Sequence, residues 1–376
     1  MNWKPALEHE WPVLLGFFGP EAELERSARE FGALRRRRGV SRASDLLRLI
    51  LAYSLGLSLR QTAAWAAESK VAEISDVAVM KRLRGAADWV GHLLACMLAE
   101  RAPVPSRAPG SRLRLVDATS ISSPGSRGTD WRIHCGFDLA RLCIDGVELT
   151  DQRTGENLGR VRLAADDIVV ADRGYARWSG LHAARQANAH FIVRTGWSAL
   201  VITDQDGTQA DLLGLLRGLP EARPGDFDLF VRSTSRRNPA VPIRLIAVRK
   251  SEPAAEASRK DALNRAARKM NEIDLRTLEA AGYVILVTSL PRENYSAENV
   301  LEIYRFRWQI ELAFKRMKSL LQLGDLPSHD PPLARTFLLA KLLAAVVIDN
   351  YTEQFLSFSP WGYRLAETPA LGLAHP

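Results

Sequence analysis

The chain has 376 residues, 47% of them hydrophobic, and carries 51 Lys and Arg against 43 Asp and Glu, a formal charge of +8. That length suits two domains, or one domain with a large insertion, and the basic excess favours a polyanionic partner, nucleic acid first. The longest apolar run, Phe337 to Ile348, contains Lys341 and falls short of the roughly 20 residues that span a bilayer, so no membrane partner is expected. Glu8, His9 and Glu10 interrupt the apolar N-terminus, which argues against a secretory signal and for a soluble cytoplasmic protein. The three cysteines, Cys96, Cys135 and Cys143, offer no disulfide framework and lack the paired spacing of a zinc site; they are expected as small buried residues.

Residues 1–105 read as an all-helical N-terminal domain. Ser44 is expected to cap "DLLRLILAYSLG", in which Leu46, Leu49, Ile50 and Tyr53 recur at helical spacing before Gly56. Ser58 with Gln61 makes a capping-box pattern for "LRQTAAWAAES", and Ser75 opens "DVAVMKRLRGAADWVGHLLACMLAE". Helices separated by such short turns suit a helix-turn-helix arrangement with Lys81, Arg82 and Arg84 on the candidate DNA-recognition helix. The same pattern fits an ordinary bundle with a solvated basic face. Arg35 to Arg38 are a phosphate-seeking cluster if the partner is nucleic acid, and a solubilising loop otherwise. The proline-rich "RAPVPSRAPGS", residues 101–111, reads as a linker.

Residues 106–197 read as the first part of an α/β core. "RLRLVDATSI", "WRIHCGFDL" and "CIDGVELT" suit an antiparallel meander, and the wholly apolar Ile168 to Ala171 suits a central parallel strand. The helix "ARWSGLHAARQAN" and the strand "HFIVRTGW" complete a strand-helix-strand unit. Residues 198–282 fit that pattern poorly, with turn-rich strands and a charged helical stretch from Glu252 to Glu279, and read as a β-rich insertion. The core is expected to resume over 283–350 with "YVILVTSL" and a long helix from near Ser296, which leaves 351–376 as a C-terminal tail.

That long helix carries "YRFRWQIELAFKRMK", residues 304–318. At 100° per residue, Tyr304, Arg307, Glu311 and Lys318 fall in a stripe about 60° wide, beside an apolar stripe of Ile303, Ile310, Phe314, Met317 and Leu321. Taken alone, Arg307 and Glu311 also fit a surface i,i+4 ion pair. Two aspartates stand at strand ends: Asp117 closes the apolar half of "RLRLVD" and Asp172 closes "IVVAD". A carboxylate there is held by the sheet yet faces a cleft, although Asp also starts turns. With Glu311 they offer three hard oxygen ligands suited to Mg²⁺ or Mn²⁺, and two such ions would activate a water or a 3′-hydroxyl for phosphodiester displacement. Arg307 and Lys318 would hold phosphate. Asp130, Asp138, Asp166 and Asp167 read as solvated turn and strand-end residues.

At these residues the sequence resembles the DDE transposases of bacterial insertion sequences, specifically the cut-and-paste branch marked by Tyr-x2-Arg-x3-Glu-x6-Lys, here Tyr304, Arg307, Glu311 and Lys318. "LVDATSI" matches the block of the first catalytic aspartate, Asp117, and "ADRGYAR" that of the second, Asp172, in the family's order; the resemblance covers roughly residues 40–350. It implies a ribonuclease H-like catalytic core, a mixed five-stranded sheet with flanking helices, interrupted by the β-rich insertion and preceded by a helical DNA-binding domain. It implies two Mg²⁺ ions per site, with Mn²⁺ able to substitute, held by Asp117, Asp172 and Glu311. The partners implied are double-stranded DNA, as terminal inverted repeats and target, and a second copy of the chain in a synaptic homodimer, associated with the bacterial nucleoid when bound. The family nicks the element's end by metal-activated water, forms and reopens a hairpin through 3′-hydroxyl attack, and joins the ends to target DNA. A flipped base stacking on an aromatic helps the hairpin form, and the matching position here is Tyr283, where relatives carry Trp. Tyr283 also fits the plain role of first residue in a buried strand.

An active transposase is the favoured reading. A catalytically silent, transposase-derived DNA-binding protein is the alternative, disfavoured because all three carboxylates are present. A nuclease of the same core without strand transfer is disfavoured by the Tyr-Arg-Glu-Lys helix and the separate helical domain.

Overall fold

The computed structural model describes residues 7, 9–35, 38–101, 112–126, 128–139, 143–220, 223–235, 237–268, 270–308, 310–311, 314–315, 321–324 and 326–356. The proline-rich linker, Arg36, Arg37, Lys318 and most of the expected tail lie outside them. The N-terminal part is helical, as α1 (Trp11–Gly16), α2 (Glu21–Glu30), α3 (Ala43–Ser54), α4 (Leu59–Glu68), α5 (Asp76–Arg84) and α6 (Ala87–Arg101). Ser58 and Gln61 complete the capping box of α4, and Ser75 Oγ accepts the Ala78 N–H at the start of α5. Ser44 is not a cap. Helix α3 begins two residues earlier than a Ser44 cap requires, at Ala43, and Ser44 is buried in its first turn with its hydroxyl donating to Glu21. The Leu46 N–H that Ser44 would have capped instead reaches the Arg42 carbonyl, and Glu25 Oε1 accepts the Ala43 N–H at 2.7 Å. The stretch that opens at Ser75 divides at Gly85 into α5 and α6.

The chain then forms β1 (Leu113–Ile121), β2 (Trp131–Asp138), β3 (Cys143–Asp151), β4 (Ile168–Ala171), α7 (Trp178–Gln186) and β5 (His190–Arg194). It continues through β6 (Val201–Thr203), α8 (Leu212–Arg217), β7 (Gly225–Arg232), β8 (Val241–Arg249), α9 (Glu252–Arg268), α10 (Leu275–Ala280) and β9 (Tyr283–Thr288), and ends in α11 (Ala297–Arg305) and α12 (Pro331–Leu356). One sheet of nine strands runs in the order β3-β2-β1-β4-β5-β9-β8-β7-β6, where five strands were expected. The first three pair antiparallel, β4 is parallel to both β1 and β5, and β6 to β8 extend the same sheet through β9. All four residues of β4 are buried, as its uninterrupted apolar run requires of a central parallel strand.

The sheet separates two cores. One face shares a hydrophobic cluster with α2, α3, α6 and α12, so the N-terminal helices and the sheet bury one another. The other face packs against Leu181 and Ala184 of α7, Leu212, Leu213 and Leu216 of α8, and Ala280 of α10. Helix α12 is long and apolar enough to cross a membrane, unlike the short run read from sequence; most of its stretch Pro331–Tyr351 is buried inside the protein, against α3, α5 and α6. Lys341, which interrupted the apolar run, is buried there with its ammonium on the carbonyls of Leu321 and Gln322 and over the Phe337 ring. Helix α12 also runs through the boundary expected at residue 350.

A buried ionic clasp ties β1 to β3 across β2. Arg114 holds Asp145 through Nε and Nη2 at 2.6 and 2.7 Å, and Arg112 holds Asp167 through Nε and Nη2 at 2.9 and 2.7 Å. The clasp passes over Gly136 of β2, where a Cβ would meet Asp145 Oδ1 at 2.6 Å. Asp138 and Asp167, expected in solvent, are each 2% exposed because these arginines from a neighbouring strand neutralise them. Cys135 and Cys143 are buried as expected; Cys96 is exposed.

Removing one partner of a buried pair strands the other charge. Arg114→Ala is therefore expected to lower the free energy of unfolding by about 3–5 kcal/mol. Arg26→Ala, which breaks the exposed pair with Glu23, is expected to cost far less. Urea denaturation measures both, and similar losses would contradict the assignment.

Candidate active site

The parallel register of β1 and β4 sets the site. Val116 pairs with Ala171, so the next residues along the two strands are Asp117 and Asp172. Asp117 Oδ1 accepts the Ala118 N–H at 2.8 Å, and Asp172 Oδ1 accepts the Gly174 N–H at 2.8 Å, capping a tight turn over Arg173–Tyr175. Neither aspartate has an ion pair among the described residues. Burial pushes the Asp117 carboxyl up to about 6, with Asp172 and Glu156 adding to the shift and the Ala118 N–H and Arg307 opposing it. Two carboxylates beside each other in a partly buried place, without a salt-bridge partner, are an arrangement that a cation would relieve.

Glu311 arrives on the chain that follows α11. Ser296 and Asn299 form a capping box at the start of α11. The helix is not continuous from Tyr304 onward: at Phe306 and Arg307 the N–H groups reach back only three residues, to Ile303 and Tyr304, before helical geometry returns at Trp308, Ile310 and Glu311. The tightened turn keeps the polar groups together nonetheless. Arg307 lies over the Tyr304 ring at 5.9 Å and its Nη2 is 2.5 Å from Glu311 Oε1. Burial opposes the charge of Arg307, but Tyr304, Glu311 and Asp117 together push its pKa up. Ile310 and Phe314 are buried in the cluster that holds Leu115 and Val170, strand neighbours of the two aspartates. Lys318 lies outside the described residues.

A cavity of about 440 Å³ opens beside Asp172, lined by Arg173, Arg194, Lys250, Arg265, Tyr304 and Arg307 among others. Burial, then Arg194 and Arg173, lower the Lys250 ammonium to about 8; it donates to Ser258 Oγ and the Ala281 carbonyl, both at 2.7 Å. The Tyr304 hydroxyl and Arg194 Nε are buried without hydrogen-bond partners. Five cationic side chains and two unpartnered polar atoms around one space suit a phosphate-bearing ligand. The sequence reading missed all of these basic residues except Arg307, because they come from four separate elements and no local motif marks them.

The other expected residues are placed elsewhere. Tyr283 opens β9 as a buried residue beneath Arg249, 5.5 Å above its ring, and does not line the cavity; Trp197 and Tyr304 are the aromatics that do. Lys81, Arg82 and Arg84 sit in the last turn of α5. Lys81 is exposed, Arg82 donates to the Arg38 carbonyl at 3.0 Å, and Arg84 pairs with Asp330 at the start of α12.

The donor set fits a hard divalent cation: Asp117, Asp172 and Glu311 supply oxygen ligands of the right chemistry, and the buried Tyr175 hydroxyl close by has no partner. Among the described residues no three carboxylate, imidazole or thiol side chains stand close enough to hold an ion; Glu311 pairs with Arg307 instead.

Residues 108–347 match the family described as "Transposase DDE domain". The chain is 44% identical over 354 residues to the putative transposase InsL of insertion sequence element IS186A from Escherichia coli K12, covering 93% of this chain and 96% of that one. It is equally 44% identical to the transposase of element IS421 from Escherichia coli, over 93% and 96% of the two chains. The transposase of element IS231E from Bacillus thuringiensis subsp. finitimus is 22% identical over 76% of this chain and 67% of its own. Among solved structures, a piggyBac transposase synaptic complex with hairpin DNA aligns with a TM-score of 0.47 at 10% identity, over 91% of this chain and 74% of that one.

Because the pKa of Asp117 is raised above its ordinary value of 3.8, the unfolded chain loses this proton first as pH rises, and stability falls between about pH 4 and pH 6. Asp117→Asn is thus expected to stabilise the metal-free protein by roughly 1–3 kcal/mol at pH 7 and by nothing measurable below about pH 4. Urea denaturation at the two pH values checks this, and destabilisation at neutral pH would contradict it.

Proposed function

We propose, for a chain that belongs to the DDE transposases of bacterial insertion sequences, that Asp117, Asp172 and Glu311 form the centre with which it cuts and joins DNA. The observation that carries this reading is the pair Asp117 and Asp172, side by side on parallel strands without a counter-charge. In the proposed reaction a water oxygen attacks phosphorus at the element's terminal inverted repeat, the P–O3′ bond breaks, and the leaving 3′ oxygen takes a proton. The freed 3′-hydroxyl then attacks phosphorus in the opposite strand to form a hairpin, breaking its P–O3′ bond to the flanking DNA, whose 3′ oxygen takes the proton. A second water opens the hairpin by breaking the new P–O3′ bond, and the regenerated 3′-hydroxyl attacks a target phosphorus, displacing the target's 3′ oxygen. Two Mg²⁺ ions, with Mn²⁺ able to substitute, are the proposed cofactors, held by the three carboxylates; when bound they activate the nucleophile and stabilise the leaving oxygen.

Arg307 has two roles in this reading. Without DNA it neutralises Glu311 through a part-buried pair, with Arg307 19% and Glu311 52% exposed, so the pair counts for more than the roughly 0.3–0.5 kcal/mol of a fully exposed i,i+4 pair. A DNA phosphate entering the basic cavity competes for Arg307 with its forked donors, which frees Glu311 to join the aspartates. Tyr304, Arg194 and Lys250 hold the same phosphate, and Lys318 is proposed as a further phosphate contact.

The strand order β3-β2-β1-β4-β5 with β2 antiparallel supports a ribonuclease H-like core over 106–197 and 283–350, with 198–282 as its insertion and 351–376 as a tail. Residues 1–105 are proposed to bind the inverted repeat, with Lys81 the most accessible of the three α5 cations and Arg82 and Arg84 beside it. A stacking role in the hairpin step remains proposed for Tyr283 only if β9 shifts to expose its ring. The working assembly is a cytoplasmic homodimer on DNA.

The decisive comparison uses labelled duplex bearing the element's own ends, with Mg²⁺ or Mn²⁺. Wild type is expected to cut and join; Glu311→Ala is expected to bind the ends with similar affinity while cleavage falls at least about a thousandfold. Wild-type protein that binds the ends and cuts under neither metal would move the catalytically silent DNA-binding protein to the front.

A further inference from the structure

A fourth carboxylate stands against this centre. Glu156 lies in the loop between β3 and the turn at Leu158–Arg160, and that loop is pinned: the Thr154 carbonyl accepts from Arg132 Nη1 at 2.6 Å, and Asn157 donates to Ser179 Oγ at 2.9 Å while accepting the Gly159 N–H. Its carboxylate rests on Gly174, two residues beyond Asp172. An ideal Cβ on Gly174 would fall 1.3 Å from Glu156 Oε2 and 3.3 Å from Asp172 Oδ1. The two oxygens are therefore within roughly 5 Å, the range in which like charges act strongly on one another. Glu156 is half-buried and has no hydrogen bond or ion pair among the described residues. Burial first, and then Asp172, push its carboxyl up, with Arg132 and Arg177 opposing.

A second observation comes from Tyr175. Its side chain is 1% exposed and its hydroxyl has no hydrogen-bond partner. After burial, the groups that push its pKa up are Glu156, Asp117 and Asp172, in that order; all three act on the hydroxyl, and none is within hydrogen-bonding distance of it. Two unpaired carboxylates within roughly 5 Å of each other, with a glycine where a side chain would part them and a buried unpartnered hydroxyl nearby, suit a hard cation.

We propose that Glu156 is a further oxygen ligand of the cation site, sharing a divalent ion with Asp172. This rests on the reading of Asp117, Asp172 and Glu311 as that site. It also explains Gly174: any side chain there would drive Glu156 away from Asp172.

The test is Mn²⁺ binding by the full chain assembled on its end DNA, followed by the EPR signal of free Mn²⁺ with duplex alone subtracted. The variants are Asp117→Asn, Glu156→Gln and Gly174→Ala, the last displacing Glu156 while keeping every carboxylate. Glu156→Gln and Gly174→Ala are each expected to weaken Mn²⁺ binding by at least about tenfold, and metal-free Glu156→Gln to melt no lower than wild type, since it loses a like-charge neighbour. If both bind Mn²⁺ as wild type does while Asp117→Asn does not, Glu156 is no ligand and the site reading survives. A lower metal-free melting temperature with undiminished Mn²⁺ binding would likewise overturn the proposal and make Glu156 structural. If wild type itself takes up no Mn²⁺, both readings fall.

Discussion

The side-by-side placement of Asp117 and Asp172 is the constraint on which the site depends. It comes from backbone geometry: β1 and β4 run parallel in a register that makes the two aspartates neighbours one step beyond the last hydrogen-bonded pair, Val116 and Ala171. The cost is visible in Asp117, whose carboxyl is pushed well above its ordinary range. A protein that needed only stability would place asparagine or a paired charge there. Unfavourable electrostatics of this kind at the ends of central strands are what the proposed cation site would relieve.

The rigidity behind that constraint lies in the surroundings. The Arg112 and Arg114 clasp locks the first three strands to one another, with each guanidinium satisfied by buried carboxylates. The wholly buried β4 is sandwiched between β1 and β5. The third carboxylate is held less firmly. Glu311 follows a tightened turn at Phe306 and Arg307 rather than an unbroken helix, and its own side chain is half exposed. Under the proposed function, two rigid carboxylates and one movable one would let phosphate and metal binding support each other, the arginine released from Glu311 being the one the phosphate attracts.

Local chemistry was legible in the sequence, and long-range neutralisation was not. The capping residues Ser58 and Ser75 and the strand Ile168–Ala171 are read from a few adjacent residues, and the structure has them as expected. Asp117 and Asp172 were readable because an acidic residue closing an apolar strand is conspicuous. Ser44 misled because Glu25, 18 residues before Ala43, accepts the Ala43 N–H and lets the helix start ahead of Ser44. Asp138 and Asp167 looked solvated because their partners, arginines on and beside a neighbouring strand, have no sequence signature; nor does anything local pair Lys341 with the carbonyls of a distant turn. The break at Phe306 carries no glycine or proline to announce it. Glu156 was invisible for a related reason: only the approach of its loop to Gly174 relates it to Asp172.

Sulfur substitution at the reacting phosphate tests most directly whether this carboxylate cluster works through bound cations. Duplex carrying a single phosphorothioate at the element's cleavage site would be assayed with each diastereomer in Mg²⁺ and in Mn²⁺, because sulfur is a poor ligand for the harder ion. For one diastereomer, cleavage at least about tenfold slower in Mg²⁺ and largely restored in Mn²⁺ is the expected result. Equal rates, or the same slowing under both metals, would mean that no cation held by Asp117, Asp172 and Glu311 touches the phosphate, and would contradict the account.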